Sequence, residues 1–212
     1  IGDTIMKLMS DSITIVLLGD WSKLYIQPGW VAENIFENPE IEIGIEGRDT
    51  EFHISYRNNG VIIKPSQNKI ILSATNAERQ TIENLSKYVN NYLGKAVTPS
   101  VLAYGLNIDF ADTEDTRYAE VLDSMSDTAS IIELGYQIET TEISRRLSKN
   151  GKIINMNCNL VNSKTTMHFN EHFANPAQDD LNISVETILQ FIDDVKQIIL
   201  HFGYEIEGDT DE

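Results

Sequence analysis

The chain of 212 residues contains one cysteine, Cys158. An internal disulfide is therefore excluded, and such thin use of thiols points to a reducing compartment. Only five prolines occur, and none cluster into a Pro-rich linker. No apolar run approaches the roughly 20 residues that a membrane-spanning helix needs. The longest near the front, Ile13 to Gly19 (ITIVLLG), has the length of a strand. No basic segment with a cleavage site precedes it, so no secretory signal is read. The expectation is a cytoplasmic protein that does not enter a membrane, in which the sequons at Asn84 and Asn182 carry no glycan.

Basic residues are scarce. Sixteen Lys and Arg face 33 Asp and Glu, a net charge of −17. Residues 1–95 hold 9 basic and 12 acidic side chains, whereas residues 96–212 hold 7 and 21. Direct nucleic-acid binding is disfavoured, because it needs Lys and Arg to displace counterions from phosphates. The excess acid serves either solubility or docking to a basic protein. The 34 residues from Asp109 to Glu142 have ten acids against one base, Arg117. The docking residues expected there are Asp112, Glu114, Asp115, Glu120 and Asp123. Trp21, Tyr25 and Trp30, packed around the Pro28-Gly29 turn, are expected to add aromatic anchors.

Motifs of catalysis are missing as well. The chain has no G-x-S-x-G elbow, no Walker loop and no G-x-G-x-x-G fingerprint. Gly44 and Gly47 read as strand or turn glycines. HFNEHF, with His168, Glu171 and His172, is the nearest approach to a metal site. Its Thr and Phe neighbours, and Pro176 beyond, favour a strand or loop over a helix. On a strand those histidines sit about 13 Å apart, too far for one ion. Asp109 to Asp115 (DFADTED) lacks the central Gly and terminal Glu of a calcium loop, and reads as a strand end followed by acids at a helix start. Cys158 lies in an apparent strand with no basic neighbour to activate it, as a small core residue does. Arg145 and Arg146 are too isolated for nucleic acid and are expected to offset acids such as Glu142. No catalytic residue, metal or cofactor is expected.

What the chain does contain is a repeat. Gly44 to Ile63 and Gly135 to Ile154, 91 residues apart, agree at seven of twenty positions, among them Asn59-Gly60 and Asn150-Gly151. Asn-Gly between apolar runs marks a two-residue hairpin turn. Each turn follows an alternating strand. Ile41, Ile43 and Ile45 oppose Glu40, Glu42 and Glu46, and Ile132, Leu134, Tyr136 and Ile138 oppose Glu133, Gln137 and Glu139. Such alternation predicts antiparallel sheet with one face buried and one wet.

The same shift carries ITIVLLG onto Tyr104 to Phe110 (YGLNIDF), each followed by a candidate short helix, GWVAENIF and TRYAEVLDSM. A longer helix closes each half. The first is expected to open with the capping box Thr75 to Glu78, to bury Ile82, Leu85, Val89 and Leu93, and to stop at Gly94. The second starts near Ser184, buries Ile188, Ile192, Val195 and Ile199, and stops at Gly203. The expected fold is α+β and internally duplicated, each half a strand, short helix, antiparallel strands and closing helix, with helices on one face of the sheet. Residues 1–95 form the first repeat and 96–204 the second, with an insertion near 155–183, around TTMHFNEHFANPAQDDLN. Residues 205–212 form an acidic, frayed tail, and the halves fuse into one body.

Functionally, these features favour a non-catalytic protein-binding protein, such as an inhibitor, immunity factor, adaptor or chaperone-like partner. The competing reading is a small-molecule binder or enzyme with a site between the halves, using His168, His172 or Asp109.

Overall fold

The computed structural model describes residues 5–48, 51–96, 101–112, 133–134, 139–161, 164–174, 176 and 181–207. Within them eleven strands form mostly antiparallel sheet, accompanied by three α-helices. The chain divides into two compact units. The first comprises Ser10–Asn107 and Glu171–Phe191, and the second Ile1–Met9, Ile108–Asn170 and Ile192–Glu212.

In the first unit the neighbours run β3 (Glu42–Arg48), β4 (Glu51–Asn58), β5 (Val61–Pro65), β6 (Lys69–Ala74), β2 (Ile13–Gly19) and β7 (Val101–Asp112, here its first seven residues). Strand β2 buries Ile13, Ile15 and Leu17 on one face, as its alternation requires. After it comes a 3₁₀ turn, Lys23–Ile26. Helix α1 (Pro28–Trp30) follows and runs on into a π-helical stretch, Val31–Phe36, which buries Val31, Ala32, Ile35 and Phe36. That stretch ends where Glu37 takes a left-handed φ of 54°.

Helix α2 (Arg79–Lys95) packs on β5, β6 and the π-helical stretch. Its polar side chains satisfy carbonyls that the π-helix leaves open. Asn91 donates to Ile35 O at 2.7 Å, and Lys95 to Asn34 O at 2.8 Å. Lys95 and Lys87 also clamp Glu37, at 2.6 and 2.9 Å, and their hydrogen bonds hold its carboxyl down at about 2.

Ile82, Leu85 and Val89 of α2 are buried as the sequence predicts, together with Tyr88 and Tyr92. Two expectations there are corrected. The capping box does not form. The helix begins at Arg79 after Glu78, and Asn76 Oδ1 takes the Glu78 N–H at 3.0 Å, while Thr75 N–H goes to Gly60 O at 2.8 Å. Tyr92 rather than Leu93 fills the last buried position, and the helix runs through Gly94 to Lys95. Ser86 and Asn90 of α2 both donate to Ile183 O, at 2.8 and 3.0 Å, holding the approach to the last helix.

The second unit has β10 (Lys164–Ala174) beside the end of β7, then β9 (Lys152–Val161) and β8 (Thr140–Lys149). Strand β1 (Ile5–Leu8) pairs antiparallel with β7 and parallel with β11 (Glu205–Ile206). The start of the acidic tail is thus a strand rather than frayed chain. Ile206 is buried, Glu207 N–H bonds Met6 O at 2.9 Å, and Lys7 meets the Glu207 carboxylate at 3.0 Å.

Helix α3 (Val185–His201) is capped by Ser184, whose Oγ accepts Thr187 N–H at 3.1 Å. Ile188, Ile192, Val195 and Ile199 are all buried, as predicted. Both Asn-Gly pairs turn hairpins with φ positive at each residue, 45° and 76° at Asn59-Gly60 and 52° and 82° at Asn150-Gly151.

The alternating strands before those turns depart from expectation. Ile43 and Ile45 of β3 are exposed, not buried, because β3 ends the strand order and, among the described residues, pairs with β4 alone. In the second copy Glu133 is helical and Leu134 lies in a turn, where it is exposed. Ile132, Tyr136, Ile138 and the segment TRYAEVLDSM lie outside the described residues.

Candidate docking edge and a polar sheet face

The aromatic cluster of the first unit is largely internal. Trp21 is only 1% exposed, which removes it as a partner-contacting anchor. It meets Tyr92 edge-on, with ring centroids 5.8 Å apart. Tyr92 is itself buried, its hydroxyl donates to Tyr25 O at 3.4 Å, and burial pushes its titration upward. Tyr25 and Trp30 are half-buried and pack against each other at 4.9 Å. Sequence spacing grouped the three aromatics correctly but could not tell which ring turns inward. Of the acidic candidates, Asp112 is half-buried at the end of β7, in register with Met6. Glu114, Asp115, Glu120 and Asp123 lie outside the described residues.

The free edge of β3 was not foreseen. Ile43 stands opposite Tyr56 and Ile45 opposite Ile54 in the β3–β4 register. Tyr56 is fully buried, with its hydroxyl on Ile26 O at 2.8 Å, but Ile43, Ile45 and Ile54 are 52%, 68% and 40% exposed. The apolar side of this sheet therefore continues past its covered part and ends in the open. Exposed Glu42 opens the same strand, and exposed Glu40 lies just before it. An open cleft of about 630 Å³, lined among others by Glu40, Glu42, Arg57 and Asn59, borders them.

The second unit carries a different surface. Strand β9 buries Ile154, Met156, Cys158 and Leu160, which leaves Asn155, Asn157 and Asn159 together on the opposite face. Strand β10 buries Thr165, Met167 and Phe169 and turns Thr166, His168 and Asn170 outward. Arg146, Ser144 and Glu142 of β8 face those asparagines in register. Asn155 donates to Asn170 at 3.4 Å, and His168 Nδ1 meets Asp109 Oδ1 at 2.5 Å. Asparagine is depleted in strands, so three on alternate positions of β9 mark an unusual amide-lined face.

HFNEHF is a strand, as its composition predicts. His172, four residues from His168, is exposed and about 13 Å away along the strand. Among the described residues no three His, Cys, Asp or Glu side chains group as metal ligands. The thiol of Cys158 is buried and pushed up to about 11, which suits a core residue and not a nucleophile.

The hydrogen bond to Asp109 raises the titration of His168, against a smaller opposing effect of burial. With a raised folded value, the stabilisation from this pair is fully present below the ordinary value near 6.5. It is lost as pH climbs through the folded value. Changing Asp109→Asn is expected to drop the His168 midpoint below that of the native chain in an NMR titration. An unchanged midpoint would show that the contact does not persist in solution.

No protein-family model matches this chain, and no curated protein matches it. No helix among the described residues is long and apolar enough to cross a membrane.

Proposed function

We propose that this is a non-catalytic cytoplasmic protein that acts by binding another protein, as an inhibitor, immunity factor, adaptor or chaperone-like partner. The observation that carries the reading is the exposed apolar side of β3 and β4, where Ile43, Ile45 and Ile54 adjoin beside an edge that has no further strand among the described residues. Natural proteins blunt or cover such edges, because an open one recruits other chains. The net charge of −17 favours a basic partner and fast, salt-sensitive association. Half-exposed Tyr25 and Trp30 remain candidate contacts, and the acids from Asp112 to Asp123 a candidate docking face. Affinity capture from the native host by the full chain, and by an I43K/I45K variant, tests the reading. The partner held by the native chain should be lost by the variant.

A small-molecule or enzymatic role is the second reading, favoured by the Asp109–His168 contact within the amide-lined face. A retained low-molecular-weight compound, released on changing His168→Ala, would promote it.

We further propose that the fold arose by duplication, with repeats at 1–95 and 96–204. Three features support this. The register Tyr56↔Ile63 recurs as Leu147↔Ile154 under the 91-residue shift. The shift also relates Ile15 to Leu106, which pair with each other where β2 meets β7, the place for a local two-fold axis. The closing helices have equal lengths of 17 residues.

A further inference from the structure

Resting on the protein-binding reading, we propose that β3 takes its partner by strand addition. The occupant is an extended segment that alternates apolar residues with Lys or Arg. Among the described residues β3 has β4 as its one sheet neighbour, so one row of backbone N–H and C=O groups along Glu42–Arg48 points away from the described sheet. An added strand would pair with that row, as in other cases of peptide recognition at a sheet edge.

The two faces of β3 then dictate the side chains of the incoming strand. On one face Ile43 and Ile45 continue the open apolar side, with Ile54 behind Ile45. Residues of the added strand opposite them would lie about 5 Å away, and apolar ones would extend that side. On the other face stands the exposed Glu42, with exposed Glu40 just before it and Arg57 opposite it on β4. Gly44 follows Glu42 on that face and closely approaches Ser55. A Cβ on Gly44 would come within 2.5 Å of Ser55 Oγ. The Ser55 hydroxyl thus takes the space of a Gly44 side chain, and no bulky group at 44 stands between an incoming Lys or Arg and the Glu42 carboxylate. A basic residue opposite Glu42 therefore gains a cross-strand ion pair, whereas an acidic one meets like charge.

A helix laid over Ile43 and Ile45 would cover the apolar side but leave the backbone row and Glu42 untouched. The contrast with β8 is instructive, since it too ends a strand order. On the side of buried Ile154 and Met156 it bears Arg145 and Lys149, both exposed, the charged guard that β3 lacks on its apolar side.

Three ten-residue peptides titrated into the full chain test this. One alternates Lys and Val, one has the same composition at helical spacing, and one alternates Glu and Val. The Lys–Val alternation should bind at least tenfold tighter than either other peptide and slow amide exchange in β3. I43K/I45K, which alters exposed positions and should melt like the native chain, should lose that binding, while R145E/R146E keeps it. Tightest binding by the helically spaced peptide, still abolished by I43K/I45K, would overturn strand addition and leave the protein-binding reading in place. Equal binding of the Glu–Val peptide would overturn the basic occupant, and no saturable binding of the Lys–Val peptide would overturn the proposal as a whole. Capture of the native partner that is indifferent to I43K/I45K would overturn docking at β3, whereas the absence of any captured partner would overturn the protein-binding reading itself.

Discussion

Truncating Trp21→Ala is expected to destabilise the protein by about 3–5 kcal/mol, the range for removing a large aromatic from a packed core. Trp21 is among the largest fully buried side chains, and its ring meets Tyr92 at an interplanar angle of 79°. Tyr92 in turn packs against Trp30, with centroids 5.8 Å apart. Removing the indole opens a void beside Tyr92 of α2, so the lost transfer energy and the cavity add. Urea denaturation measures it. A change within about 0.5 kcal/mol, the usual range for an exposed site, would mean that Trp21 lies on the surface.

The second large effect belongs to Ile192→Ala in α3, at about 2–5 kcal/mol. Ile192 shares a buried stripe with Ile188, Val195 and Ile199 at the three- and four-residue spacing of a helix face. Ser184 sets where that helix begins, and Gly203, with φ of 83°, marks the chain just beyond its end. The face therefore cannot rotate away from the core to spare the cavity. A loss below about 0.5 kcal/mol would show that the stripe faces solvent.

Features governed by local chemistry were legible in the sequence. Asn-Gly specifies positive φ at two adjacent residues, and both turns form where the pair occurs. The apolar stripe of α3 and the strand character of HFNEHF also follow from spacing and composition. What failed depended on tertiary neighbours. Alternation in β3 signals a two-faced strand, but only the strand order reveals that β3 lies at the edge of the described sheet, with Ile43 and Ile45 exposed. Thr75 to Glu78 satisfies the pattern of a capping box, yet Thr75 N–H is already engaged by Gly60 O, and the helix starts later. Asp109 and His168 are 59 residues apart, and no local pattern announces that β7 and β10 are neighbours. Glu205 and Ile206 look like the start of an acidic tail, but a parallel partner in β1 orders them.

Quantitative capture of the host partner by the native chain and by I43K/I45K most directly tests the open β3 edge. Both proteins should melt at nearly the same temperature, since Ile43 and Ile45 contribute little to the core in the free state. Each lysine would place charge on the apolar side of the docking edge, so the variant should retain less than a tenth of the partner held by the native chain. Equal retention by two equally stable proteins would contradict docking at β3.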